Sequence, residues 1–255
     1  MELTPKVCIL TAGLGQRMGP IGRMLNKALF PLNGKAIISH IFENFPTHTE
    51  FVVALGYRGE QVRSYLLQAH PELKITFVDV DPFVGPGSGP GYSAWSCRGE
   101  LQDPFYFVAV DTFWVEDVNA ISRAESWLGV FAVPSAETKN YCNILIKNQH
   151  AVGIADKMNV TDPEARVFTG LAYIHEPKIF WRSIEQDAGE GEIQVVTGFK
   201  GLIKMAPPRA VPLCWTDLGS EEKYLAAGGE KFASCTKEIN YNISGRIFSL
   251  PLGGA

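Results

Sequence analysis

The run Val7-Cys8-Ile9-Leu10-Thr11-Ala12-Gly13-Leu14-Gly15-Gln16-Arg17-Met18-Gly19, with Asn26-Lys27-Ala28-Leu29 close behind it, decides how the chain is read. Four apolar residues bounded by small ones describe a buried strand, and the two glycines and Arg17 describe a loop at its end. Gly13 and Gly15 have no side chains, so backbone N–H groups can close on phosphate oxygens there, while Arg17 and Lys27 add positive charge. The spacing excludes two commoner phosphate loops. A Walker loop ends in Gly-Lys-Ser/Thr, and the dinucleotide fingerprint places its third glycine three residues after the second. Here Arg17 follows Gly15 by two positions and the next glycine is Gly19. The glycines by themselves equally describe an ordinary strand-to-helix turn; the arginine and the lysine favour phosphate.

Outward from this loop, strands and helices alternate. The spacing predicts a short extended segment over 28–32, a helix over 36–45 stopped by Pro46, a strand over 51–56, a helix over 60–69 and a strand over 75–78. Such alternation implies a parallel sheet with helices on both faces, and ligands bind at the carboxyl ends of its strands. The Gly- and Pro-rich segment 81–93 reads either as a surface loop or as a place where backbone approaches a ligand, and a helix is expected over 92–97. A fourth strand over 105–110 runs without a polar residue into Asp111. Its carboxylate is a candidate ligand for a hard cation; the competing reading is a helix cap. Beyond it the pattern changes to a strand over 127–133, a hairpin over 141–157 turning at Lys147-Asn148-Gln149-His150, and a strand over 168–174.

The 255 residues suffice for one substantial core, and 46% hydrophobic with 20% charged residues is an ordinary globular balance. A net charge of -4 argues against nucleic acid or an anionic membrane as the main partner. Cys8, Cys97, Cys142, Cys214 and Cys235 are scattered without CxxC spacing, which suits a reducing cytoplasm and disfavours zinc. Pro5 and Lys6 interrupt the start, so no signal peptide is expected, and no apolar run approaches the ~18 residues of a membrane helix.

The opening loop resembles the signature of the sugar-phosphate nucleotidyltransferases: a strand ending in Ala-Gly, then Gly-x-Arg-Met or Leu, then Lys-Pro about ten residues on. Ala28 stands where that family usually has proline, and Val110 where it has the glycine before the aspartate. The later motifs follow in the family's order as Tyr141-Cys142-Asn143-Ile144, Asp156-Lys157-Met158, Thr169-Gly170, Gly191-Glu192-Ile193-Gln194-Val195-Val196-Thr197 and Trp215-Thr216-Asp217-Leu218-Gly219-Ser220. Cys142 and Met158 depart from its glycine and proline.

The resemblance implies a Rossmann-like α/β fold with a mixed, mainly parallel central sheet, helices on both faces and a smaller β-rich acceptor-binding part. Residues 1–235 would form one domain, 1–112 holding the nucleotide and 113–235 the acceptor, with 236–255 a tail of unassigned role in which 243–250 is strand-like. It assigns Arg17 and Lys27 to catalysis, Leu10, Ala12, Gly13, Gly15 and Gly87 to the nucleotide, Asn143, Asp156, Lys157 and Gly170 to the acceptor, and Asp111 and Asp217 to Mg²⁺. Ser220 would cap a helix over 221–226. The implied reaction couples a nucleoside triphosphate to a phosphorylated acceptor, a sugar 1-phosphate first, giving a nucleotide-activated sugar for polysaccharide or capsule building. Self-association is a further expectation, from the family's frequent dimers and tetramers. Three alternatives stand beside it: a cytidylyltransferase for a small phospho-alcohol, phosphonate or amino-acid phosphate; a catalytically silent regulatory subunit; and a glycosyltransferase using Asp79-Val80-Asp81.

Overall fold

The computed structural model describes residues 4–186, 191–229, 238–243 and 245–251. In chain order its strands are β1 (Lys6–Leu10), β2 (Pro31–Leu32), β3 (Lys35–Ala36), β4 (Glu50–Leu55), β5 (Lys74–Asp79), β6 (Phe105–Ala109), β7 (Thr112–Trp114), β8 (Trp127–Phe131), β9 (Cys142–Lys147), β10 (His150–Asp156), β11 (Arg166–Ile174), β12 (Arg209–Pro212), β13 (Trp215–Asp217), β14 (Glu238–Ile243) and β15 (Arg246–Pro251). The α-helices are α1 (Ile37–Glu43), α2 (Gly59–Ala69), α3 (Pro90–Ser96), α4 (Pro177–Glu185), α5 (Val195–Met205) and α6 (Glu221–Ala226).

Nine strands make one sheet, in the order β5-β4-β1-β6-β11-β8-β12-β10-β9. The first four run parallel, as do β8 and β12. The other ladders are antiparallel. The sheet is thus mixed, as expected, with its parallel ladders concentrated in the first half of the order. From Asp111 to β11 no α-helix intervenes between strands, and β11 enters beside β6 in the opposite direction.

Alternation along each central strand sends side chains to two separate cores. Val7 and Ile9 of β1 and Tyr106 and Val108 of β6 meet α1, α2 and Tyr224 of α6. Cys8, Phe105 and Phe107 meet α3, α4 and α5 on the opposite face. Burial on both sides is why these strands are continuous apolar runs. The two helices α4 and α5 were not expected, although Pro177 in a first turn and the helical spacing of Phe180, Trp181 and Ile184 mark the former.

Two further expectations change. Residues 27–29 form a 3₁₀ turn, so of the segment expected over 28–32 the extended part starts at Phe30, and Pro31–Leu32 pairs with Lys35–Ala36. The strand expected over 243–250 is split between β14 and β15, which form an antiparallel ladder. The hairpin of β9 and β10 is as expected, with Asn148 and Gln149 both left-handed, the arrangement that matches strand twist. Cys235, Lys237 and the closing Gly253-Gly254-Ala255 lie outside the described residues.

Candidate active site

Gly15, at φ +62°, turns the chain from the end of β1 into a 3₁₀ turn over Gln16–Met18. Met18 is fully buried and anchors that turn, which leaves Arg17 exposed at the carboxyl end of β1. Gly13 is exposed as well, and a Cβ placed on it would meet nothing within 4 Å. Leu10 is half-buried beside them. Ala12 is buried instead, its methyl standing where a side chain at Gly56 would fall.

The lysine is set by its neighbour. Asn26 is 1% exposed; its side chain accepts from Ala28 N at 2.9 Å and donates to Thr11 O at 2.9 Å and Tyr57 O at 2.6 Å. One side chain thus ties the turn carrying Lys27 to the strand end carrying the glycines. Lys27 Nζ then reaches Asp111 Oδ2 at 2.8 Å. Burial by itself would raise the Asp111 carboxyl; Lys27 and then Arg17 outweigh it and hold it below the ordinary carboxylate value.

Asp111 and Asp217, far apart along the chain, are brought together by a ladder of two three-residue strands. β7 and β13 pair Thr112 with Asp217, and Leu218 N donates to Asp111 O at 2.9 Å. The result is visible at Gly219, where an added Cβ would lie 2.6 Å from Asp217 Oδ1, 3.5 Å from Asp111 Oδ2 and 3.5 Å from Arg17 Nη2. Two carboxylates and a guanidinium thus converge on a point kept open by the absence of one methyl. A hard divalent cation takes oxygen ligands, and Mg²⁺ is held by one or two carboxylates with water and phosphate completing its shell. Asp111 and Asp217 fit that donor set. Among the described residues no group of three or more His, Cys, Asp or Glu offers a fuller protein cage.

Residues that sequence reasoning did not assign complete the site. Asp217 Oδ1 accepts from Gly219 N at 2.7 Å, and Oδ2 accepts from Lys223 Nζ at 2.6 Å and Tyr141 OH at 3.1 Å. Lys223 also bonds Tyr141 OH and lies 4.5 Å from the centroid of its ring. Ser220 caps α6 as expected, accepting from Lys223 N. A lysine on a short helix reads in sequence as a solvated face, and only the fold turns it toward Asp217.

The acceptor assignments separate. Asn143 is 1% exposed, with Nδ2 within bonding distance of the carbonyls of Thr138, Tyr141, Ala155 and Met158. These bonds commit Nδ2 to bracing the base of the hairpin. Gly170, at φ +91°, lies against the site's own strand, since a Cβ there would come within 2.5 Å of Thr112 Oγ1. Asp156 ends β10, and Lys157 follows it, exposed and left-handed at φ +52°. Gly87 is left-handed at φ +80° with open space around it, and its N–H donates to Gly191 O at 2.9 Å. Close approach is demanded at Gly89 and Gly91 instead, where a Cβ would fall 2.6 Å from backbone atoms of Ile193 and Gln194.

Asp79, of the alternative Asp-x-Asp, is exposed on the edge strand β5 and held by Arg63 at 2.8 and 3.0 Å. Among the described residues no helix is long and apolar enough to cross a membrane.

Comparison with known proteins bears on the fold and the family. The bifunctional protein GlmU of Methanococcus vannielii is 23% identical over 247 residues, covering 94% of this chain and 58% of the relative, so the chain spans little more than half of that protein's length. The N-acetylmuramate alpha-1-phosphate uridylyltransferase of Caulobacter vibrioides is 27% identical over 168 residues, 63% of this chain and 66% of the relative. The crystal structure of a UDP-glucose pyrophosphorylase complexed with UDP-glucose superimposes with a TM-score of 0.74 at 17% identity, over 88% of this chain and 97% of the other; this likeness is one of fold. The family model of the MobA-like NTP transferase domain matches residues 7–156, the stretch from the first strand through the glycine loop and Asp111 to the end of the hairpin. The chain belongs to the MobA-like NTP transferase domain family.

Proposed function

We propose that the chain is a nucleotidyltransferase that joins a nucleoside triphosphate to a sugar 1-phosphate, releasing pyrophosphate, and that Asp111 and Asp217 are the residues that would hold Mg²⁺. The observation that carries this reading is the convergence of Asp111, Asp217 and Arg17 on the open position at Gly219. The sugar 1-phosphate class rests on the name of the Caulobacter relative and on the fold shared with a UDP-glucose pyrophosphorylase.

In this reading an acceptor phosphate oxygen, already ionised at neutral pH, attacks the α-phosphorus in line; a new P–O bond forms there while the bond to the β-phosphate oxygen breaks. No general base is needed. None of the five histidines is asked to supply one. The bound cation would supply charge neutralisation at the α-phosphate and the attacking oxygen. Arg17 offsets the charge gathering on the departing pyrophosphate, and Lys27 leaves Asp111 for the α-phosphate. Lys157 meets the acceptor phosphate; its left-handed backbone is a local strain of the kind found where a side chain must be aimed. Asp156 and Gly170 border that acceptor space, and Leu10, Gly13, Gly15 and Gly87 the nucleotide. Residues 1–112 and 113–235 are the two halves so divided, and the free cysteines suit work in a reducing cytoplasm.

The test is a pyrophosphate-release screen crossing the four ribonucleoside triphosphates with sugar 1-phosphates and choline-type phosphates. Release with a sugar 1-phosphate supports the reading. Release only with CTP and a phospho-alcohol moves the chain to the cytidylyltransferase alternative, and no release in any pairing favours the silent subunit.

A further inference from the structure

Each candidate metal carboxylate already has an ammonium of its own. Lys27 stands on Asp111 at 2.8 Å and Lys223 on Asp217 at 2.6 Å. Lys223 is seated rather than loosely placed. It bonds the Tyr141 hydroxyl, lies over that ring, and shares Asp217 Oδ2 with the same hydroxyl, while Oδ1 is taken by Gly219 N–H. The Asp217 side chain is only 15% exposed, and it accepts from Gly219, Lys223 and Tyr141. Around it, Arg17, Lys27 and Lys223 stand against two carboxylates, Asp111 and Asp217. The pairing leaves no surplus of negative charge. A divalent ion arriving alone meets no net attraction and must break a short charge-assisted bond to reach Asp217. An ion arriving with a triphosphate brings an acceptor for the ammonium it displaces, and lysine's flexible stem lets Nζ move to it.

We infer that Lys223 is the resident counter-ion of Asp217, a positioning residue that a divalent cation must displace, so that metal uptake is conditional on the phosphates that receive Lys223. This rests on the proposed metal role of Asp111 and Asp217. It gives Lys223 a task distinct from that of Lys27, which stands on the other carboxylate.

Mn²⁺ binding to the full chain, followed by electron paramagnetic resonance and calorimetry without nucleotide, tests it. Lys223→Met should bind Mn²⁺ at least about tenfold more tightly than wild type, the scale of one hydrogen bond to a charged group. Lys223→Arg should stay weak, because it keeps the charge, and Lys223→Met combined with Asp217→Asn should lose the gain. Supplying Mn²⁺ as its complex with inorganic tripolyphosphate should narrow the gap between wild type and Lys223→Met. Lys223→Gln, with circular-dichroism melting of every variant, guards against loss of fold. Equal Mn²⁺ affinity in wild type, Lys223→Met and Lys223→Gln, with binding abolished by Asp217→Asn, would overturn the role of Lys223 and leave the metal site standing. No binding in any form, with or without tripolyphosphate, would overturn both.

Discussion

At the level of single residues, charge and burial make separable demands. Arg17 is exposed and Asp111 is held ionised by Lys27 and Arg17, so neither contributes chiefly to the core. Groups that act on charge developing in the transition state typically contribute on the order of 10²–10³ in rate. Arg17→Ala and Asp111→Asn should each slow pyrophosphate release by about that factor with melting temperatures near wild type; near-normal turnover in a folded variant removes that residue from the mechanism. His70 makes the opposite demand. It is 6% exposed, packs edge-on against Phe42 and bonds Ser39 Oγ through Nε2 at 2.8 Å. Burial lowers its pKa, and Glu72 and Glu43 only partly oppose this. The unfolded chain therefore takes up the proton first, so this contribution to stability is complete above about pH 6.5 and is lost as pH falls through the lower folded value. Melting temperature should fall on acidification from about pH 7 to 5, and His70→Gln should reduce that slope. An unchanged slope in the variant assigns the acid sensitivity to other groups.

Among elements, the short ones decide the site. Gly219 lies between β13 and α6, and its missing side chain keeps both aspartates and Arg17 at one point. Gly219→Ala puts a methyl 2.6 Å from Asp217 Oδ1. The carboxylate must move, and displacement of reacting groups by about 1 Å can cost on the order of 10²-fold in rate. Turnover should drop by about that much while the melting temperature changes little, since Gly219 is no part of either core cluster; full activity in this variant would mean the convergence at Gly219 is not the reacting centre. The legibility of the fold follows the same division. β1, β4 and β6 could be read because burial on both faces writes them as unbroken apolar runs, and the β9–β10 hairpin because its turn residues and alternation are local. The ladder of β7 and β13 has three residues on each side and no local signature. It exists because distant segments pack, so the meeting of Asp111 with Asp217 came from motif order and not from pattern. Ala28 and Leu29 read as extended because the turn is held at Asn26, which accepts from Ala28 N but is itself fixed by Thr11 and Tyr57, partners outside that stretch of sequence. Asn143 is equally dependent on the fold: its Nδ2 bonds to Thr138, Ala155 and Met158 are set by the closed hairpin and not by the motif it stands in.

At the scale of the whole molecule, the hairpin of β14 and β15 belongs to the core beneath α1 and α2. Ile239, Tyr241 and Ile243 are buried in the same core as α1 and α2. Tyr241 packs edge-on against Tyr65 at 4.8 Å, its hydroxyl bonds Leu29 O, and Asn242 N donates to Gly34 O at 2.8 Å. Leu29 ends the turn that carries Lys27, so the far end of the chain supports one of the two loop cations from behind. Each buried side chain of this size contributes roughly 1.5–3 kcal/mol. Three of them are a large part of the about 5–15 kcal/mol by which a domain is usually stable. A chain ended after residue 229 should therefore melt well below the full chain, and what remains folded should bind and turn over nucleotide poorly, because Lys27 loses its backing. Two substitutions divide the effect. Tyr241→Phe keeps the ring and removes the bond to Leu29 O; it should lower stability by about 0.5–1.5 kcal/mol, the ordinary net worth of one hydrogen bond. Tyr241→Ala empties the space beside Tyr65 and should cost about 3–5 kcal/mol, as large-to-small changes at buried aromatic positions do. Chemical denaturation of the three proteins measures both steps, and a shortened chain as stable and active as the intact one would show that the Lys27 turn stands without this hairpin.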